Sequence, residues 1–199
     1  MTTTVHTTVH TTAKRMLIFG GARSGKSRYA EQIALDSGHK EVIYIATAEP
    51  ADSDVEMAAR IAEHRRQRPA KWITVEEPLG LGEAIQEWCA PGRIVLVDCL
   101  TVWLSNIMFS KDANYPDVGR IELPTLFHQL RGDFLHTVDH AAGDLILVSN
   151  EVGMGIVPIG AVSRSFTDEA GRLNQDVAAL CDHVLFVAAG LPLVLKGHP

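Results

Sequence analysis

Residues Gly20-Gly21-Ala22-Arg23-Ser24-Gly25-Lys26-Ser27 constrain this chain more than any other stretch. Glycine, four residues, then Gly-Lys-Ser is the spacing of a phosphate-binding loop, which functions between a buried strand and the start of a helix. Both flanks are present. Met16-Leu17-Ile18-Phe19 is a short apolar run suited to a buried parallel strand. Arg28 to Leu35 suits a helix, with Ala30, Ile33 and Ala34 on one face. Gly20 and Gly25 allow the backbone to curl until its N–H groups converge, and the helix dipole adds to the same anion site. Lys26 is expected to reach the β- and γ-phosphates and the Ser27 hydroxyl to ligate Mg²⁺. A glycine-rich turn that merely precedes a helix would need neither the lysine nor both flanks. The motif implies a bound nucleoside triphosphate.

The chain has 199 residues, enough for one α/β domain with a full core. Its formal net charge of −6 argues against a broad nucleic-acid or membrane surface, each of which needs a basic footprint. No apolar run is long enough for a membrane span. Cys89, Cys99 and Cys181 have no metal-ligand spacing, and an odd count suits a reducing compartment, so a cytoplasmic location is expected. The first residues repeat a Thr-Thr-Val-His unit and lack the basic start and apolar centre of a signal peptide. His6 and His10 could ligate a metal, but residues 1–14 are read as a disordered tail.

Residues 15–199 alternate strand and helix patterns without a repeat or linker, which predicts a single α/β domain with a mostly parallel sheet. Strands are expected at 41–46, 71–75, 93–98, 144–150 and 183–188. Helices are expected at 54–67, 79–90, 126–142 and 163–181, and a C-terminal hairpin around Ala189-Gly190. Small and polar residues close several strands, among them Thr47-Ala48, Glu76-Glu77 and Asp98. In open α/β sheets that carboxyl edge binds ligands. Asp98 ends four apolar residues, so it is either a Mg²⁺-binding carboxylate or a cap for the segment after it. The loop Glu151-Val-Gly-Met-Gly-Ile-Val-Pro158 follows another strand and predicts a tight, exposed turn at the same edge. Gly171 interrupts a helix at a cost of about 1 kcal/mol relative to alanine, which implies close packing or a functional reason. His128, His136 and His140 read as surface or boundary residues.

His64 falls near the apolar stripe of Met57 and Ile61, with Arg65, Arg66 and Arg68 directly after it. Two readings stand side by side. One is a helix-end histidine with solvated arginines. The other is a polyphosphate site whose guanidiniums keep the neighbouring imidazole neutral and nucleophilic.

Several stretches taken together resemble the bifunctional adenosylcobinamide kinase/adenosylcobinamide-phosphate guanylyltransferase family of cobalamin biosynthesis. They are Gly20–Ser27, Tyr44-Ile-Ala-Thr47, Glu56-Met-Ala-Ala-Arg-Ile61, His64 with Arg68-Pro69 and Trp72, Asn150-Glu-Val-Gly-Met-Gly-Ile-Val-Pro158, and Ala170-Gly-Arg172 with Asn174-Gln175. The resemblance implies a RecA-like P-loop fold and a homotrimer. It also implies two reactions: phosphorylation of adenosylcobinamide by ATP or GTP, then transfer of GMP from GTP to adenosylcobinamide-phosphate through a guanylylated histidine. That histidine corresponds to His64. The implied nucleotide contacts fall on Gly20, Gly21, Ala22, Arg23, Ser24, Gly25, Lys26 and Ser27. Further contacts fall on Ala46, Thr47 and Ala48, on Arg65, Arg66, Gln67 and Arg68, and on Glu76 and Asp98, with Ser27 and Asp98 at the metal. One member of that family differs in having glutamate at Asp98, a second histidine at Glu63, arginine at Thr167 and Lys-Asp-Gly at Arg65-Arg66-Gln67.

Two rivals make distinct predictions. A P-loop kinase for another small hydroxylated substrate would transfer phosphoryl groups without any covalent nucleotide. A RecA-like DNA-binding switch would need a basic and aromatic stripe that this chain lacks.

Overall fold

The computed structural model describes residues 14–48, 69–110, 115–116 and 119–197. The helix expected at 54–67 lies outside them, with His64 and its arginines. So do tail residues 1–13, whereas Lys14 is tied to the sheet: its N–H donates to Asp144 Oδ1 (2.9 Å), and its carbonyl accepts from Leu145 N (2.8 Å).

The described elements alternate as the hydrophobic pattern requires. They are β1 (Arg15–Gly20), α1 (Lys26–Asp36), β2 (Glu41–Ala46), β3 (Ile73–Glu76), α2 (Leu81–Trp88), β4 (Arg93–Asp98) and α3 (Leu100–Met108). After these come α4 (Thr125–Asp139), β5 (Asp144–Asn150), α5 (Ala161–Leu180), β6 (His183–Ala188) and β7 (Leu191–Lys196). The seven strands form one sheet in the order β3-β2-β4-β5-β1-β6-β7, parallel throughout except for the β6–β7 hairpin.

Period-two alternation sends successive side chains to opposite faces, and both faces are covered, so the central strands read as unbroken apolar runs. Leu17, Ile43, Ile45, Val95, Val97, Leu145 and Leu147 pack under α2 to α5 with Trp103, Phe127 and Phe134. Ile18, Val42, Tyr44, Ile94, Leu96, Ile146 and Val148 face the other way, against Ala30 and Ala34 of α1 and against Trp72. Trp103 is fully buried, lies 4.8 Å from Phe134 by ring centroid, and donates its indole N–H to Leu79 O at 2.8 Å.

Local hydrogen bonds account for shifted boundaries. The strand expected at 71–75 begins at Ile73 because Trp72 N closes a turn onto Pro69 O (3.0 Å) and is lost to the ladder. The helix expected from 79 starts at Leu81, because Glu77 Oε1 accepts the Leu79 and Gly80 N–H groups at 2.9 and 2.7 Å. The helix expected at 126–142 ends at Asp139, where the His140 N–H is shared between the His136 and Thr137 carbonyls.

Candidate active site

The phosphate loop leaves β1 at Gly20, and its geometry follows from its glycines. A Cβ at Gly20 would lie 2.2 Å from the Val187 carbonyl of β6, so only glycine lets β1 and β6 approach here. Gly25 caps α1 with φ +93° and Arg23 also takes a left-handed φ of +56°. Alternation of this kind points successive N–H groups into one concavity. Lys26 is buried and its ammonium donates to Gly21 O at 3.3 Å, which folds the side chain back across the loop. The β6–β7 hairpin braces the loop from outside, with Gly190 N donating to Ser24 O at 2.8 Å.

The other sequence-derived positions converge on this edge. Ala46 is in register with Asp98 on one side and Glu76 on the other, so the tips of β4, β2 and β3 form one row. Strand spacing puts Asp98 and Glu76 about 10 Å apart at Cα, with Asp98 about the same distance from β1 across β5. Asp98 is half-buried and does not cap α3, whose first turn has no side-chain cap; the Tyr44 hydroxyl donates to its Oδ2 at 2.8 Å. Tyr44 is itself buried and stacks on Trp72. Glu76 is exposed at the β3 tip. Cys99 connects the two halves of the edge. Burial pushes its thiol up to about 12, the Asp98 carboxylate adds to the rise, and the Lys26 ammonium opposes it. One buried thiol thus feels both the phosphate-loop lysine and the β4 carboxylate. His64, Arg65, Arg66, Gln67 and Arg68 lie outside the described residues.

The bracing around this edge was not legible in the sequence. The buried Thr47 hydroxyl donates to Cys99 O (2.8 Å) and accepts from Cys99 N (2.9 Å) across the cis Asp98–Cys99 peptide. Asn106 donates to Thr47 O (2.8 Å) and Pro78 O (3.0 Å), and the Thr101 hydroxyl accepts from Asn150 N (2.7 Å). The available signal was an asparagine and a threonine inside the mostly apolar α3.

The loop after β5 begins at the phosphate loop, with Glu151 N donating to Gly20 O at 3.0 Å. Its Glu151 carboxylate turns back to accept from Gly153 N (2.5 Å) and Met154 N (3.0 Å). The loop is exposed as expected, but neither Gly153 nor Gly155 takes a left-handed φ, so the turn rests on the glutamate. Gly171 corrects the close-packing reading: among the described residues, a Cβ there meets nothing within 4 Å.

This site is that of a P-loop nucleotide-binding transferase: a lysine-bearing phosphate loop faces an oriented carboxylate across one inserted strand of a parallel sheet. The fold agrees. A type III secretion ATPase of pathogenic bacteria superposes with a TM-score of 0.55 at 12% identity, covering 92% of this chain and 57% of that one. Residues 16–195 match the model of the cobinamide kinase/cobinamide phosphate guanyltransferase family, and the chain belongs to that family. It is 49% identical over 185 residues to the bifunctional adenosylcobalamin biosynthesis protein CobP of Pseudomonas aeruginosa, covering 93% of this chain and 99% of that protein. To CobU of Escherichia coli it is 40% identical, covering 91% and 99%. It is therefore a bifunctional enzyme of adenosylcobalamin biosynthesis. Among the described residues no helix is long and apolar enough to cross a membrane.

Proposed function

We propose that this chain phosphorylates the aminopropanol hydroxyl of adenosylcobinamide with ATP or GTP, then transfers GMP from GTP to adenosylcobinamide-phosphate by way of guanylylated His64. The observation that carries this reading is the buried Lys26 lying across the phosphate loop, at the same edge as the Tyr44-oriented Asp98. In the first transfer the substrate hydroxyl oxygen attacks the γ-phosphorus, the bond to the β-phosphate oxygen breaks, and the nucleoside diphosphate leaves. Lys26 and the loop N–H groups hold the β- and γ-oxygens in line, so catalysis is mainly positioning and charge stabilisation.

In the second transfer a ring nitrogen of His64 attacks the α-phosphorus of GTP and pyrophosphate leaves. An oxygen of the acceptor phosphate then attacks the same phosphorus, the N–P bond breaks, and adenosylcobinamide-GDP forms with His64 restored. Two displacements at one histidine are ordinary covalent catalysis. Arg65, Arg66 and Arg68 take up charge on the departing pyrophosphate and keep His64 unprotonated. Gly20 to Ser27, Ala46-Thr47-Ala48, Gln67 and Glu76 complete the nucleotide contacts.

The Ser27 hydroxyl and the Asp98 carboxylate are hard oxygen donors suited to Mg²⁺. When bound, Mg²⁺ neutralises charge on the triphosphate. The Tyr44 bond fixes one carboxylate oxygen and so orients Asp98 for that role. The protein acts as a homotrimer in the cytoplasm, and its three buried free thiols support a reducing compartment.

The test is incubation with α-labelled GTP and Mg²⁺ followed by acid treatment. Wild type is expected to carry an acid-labile phosphoramidate label that His64→Ala lacks. Kinase turnover without any label would leave a single-activity kinase.

A further inference from the structure

Resting on the function proposed above, we infer that the cavity between the Val152–Pro158 loop and α5 seats the corrinoid ring of the acceptor, with Gly171 as its open floor. The acceptor of a cobinamide kinase is a flat, largely apolar macrocycle ringed by carboxamides. It is far larger than the hydroxyl being phosphorylated, and it must sit beside the phosphate loop. The loop after β5 is tied there through Glu151 N and Gly20 O.

Three observations single out this face. The loop presents aliphatic side chains to solvent, with Met154 77%, Ile156 98% and Ile159 97% exposed. An apolar patch of this kind marks an interaction site. It is also built rather than loose: Glu151 holds its first turn, and Arg164 donates to the Pro158 and Ile159 carbonyls at its end. Behind it lies a cavity of about 420 Å³ whose α5 wall carries Asp168, Arg172 and Gln175 on one helical face. These groups supply the donors and acceptors that carboxamides require.

Gly171 is the second, independent line. It weakens the middle of a long helix, yet among the described residues a Cβ there would meet nothing within 4 Å. Packing among the described residues gives no reason for glycine. Close approach of a flat ligand to the helix backbone does. An aliphatic face with carboxamide-matching polar groups fits a corrinoid better than another copy of this chain, because the polar groups line the same cavity as the aliphatic loop.

Two variants separate the docking face from the fold and from the phosphate site. Gly171→Leu fills the cavity from its floor, its Cβ entering open space among the described residues, and it raises Tm because leucine favours the helix. Ile156→Asp places a charge on the loop. Both are measured for cobinamide affinity by visible absorption in equilibrium dialysis, for affinity toward a fluorescent GTP analogue, and for oligomeric state by sedimentation velocity. Each variant is expected to weaken cobinamide at least tenfold while the nucleotide affinity stays within twofold. Retained cobinamide affinity in a folded Gly171→Leu protein overturns the inference. Dissociation of an oligomer by Ile156→Asp also overturns it, assigning the patch to a subunit contact. Wild type that binds nucleotide but no cobinamide defeats the proposed function itself, whereas equal binding by wild type and both variants defeats only the docking face.

Discussion

Alanine at Gly20, Gly21 and Gly25 should separate two different structural reasons for glycine within one loop from a position that has neither. At Gly20 the new Cβ would lie 2.2 Å from Val187 O and 3.0 Å from Ser24 Oγ. Val187 is buried in the β6 ladder, so relief requires β1 and β6 to part by about 1 Å in a close-packed core. Overpacking of this kind costs about 1–3 kcal/mol, and because backbone must move we place Gly20→Ala at about 3 kcal/mol. At Gly25 the φ of +93° disfavours any L side chain, and the Cβ also meets Gly190 Cα at 3.1 Å. The left-handed conformation alone costs roughly 1–2 kcal/mol, so Gly25→Ala should lose about 2 kcal/mol. Gly21 has neither problem: nothing lies within 4 Å and its φ is not left-handed. Gly21→Ala should change stability by less than about 0.5 kcal/mol. Urea denaturation reads the series as shifts in midpoint at constant m-value. Equal midpoints for Gly20→Ala and Gly21→Ala would refute the reasoning, since they would mean that β1 and β6 adjust freely at the root of the phosphate loop.

Tyr44→Phe keeps the buried ring and removes the donor to Asp98 Oδ2, a bond to a charged group worth about 1.5–3 kcal/mol. Loss of such an orienting partner typically costs about 10–100-fold in metal affinity or activity. Kinase turnover should fall by that factor and the Mg²⁺ concentration for half-maximal rate should rise; an unchanged Mg²⁺ titration removes the orienting role. Burial pushes the Cys99 and Cys181 thiols up to about 12, from an ordinary 9.0. Between those values the unfolded chain ionises while the folded one holds its protons, so stability is full below pH 9 and is lost as pH rises toward 12. Together the two thiols should steepen that loss by up to about 3 kcal/mol per pH unit. Urea midpoints at pH 8, 9 and 10 check this, and a Cys99→Ala/Cys181→Ala protein that declines as steeply as wild type would refute it.

Strands β2, β4 and β5 were legible to the residue because each is buried on both faces, so apolar runs bounded by polar residues leave no register choice. β3 was misplaced by two residues because Lys71 and Trp72 have strand-like character, while a single hydrogen bond to Pro69 commits Trp72 to a turn. The phosphate loop was legible from spacing alone, and the hairpin that braces it was not. Gly190 reaches Ser24 across most of the chain, and no local pattern encodes that contact. Asp98 could be read only as an acid at a strand tip, because its orientation comes from a tyrosine on a neighbouring strand. Gly171 shows the reverse case: the sequence marked it as costly, and packing among the described residues is not the reason.

The function proposed above has one phosphate loop serve two transfers. β5 separates β1 from β4, so the root of the phosphate loop and Asp98 lie about 10 Å apart on one sheet edge. The phosphorylated product of the first transfer is the acceptor of the second, and the spent nucleoside diphosphate must leave before GTP can enter. The nucleotide contacts therefore have to be released between steps, while the acceptor gains if it stays bound. A docking face outside the phosphate loop, on the segment that β5 sends out past Gly20, allows that division. If the acceptor were instead held only through its phosphate, emptying the loop would also release it. Single-turnover labelling should then show free adenosylcobinamide-phosphate exchanging with added acceptor before guanylyl transfer. With a separate docking face, the phosphate formed in the first step should appear in adenosylcobinamide-GDP ahead of exchange, and Gly171→Leu should abolish that advantage.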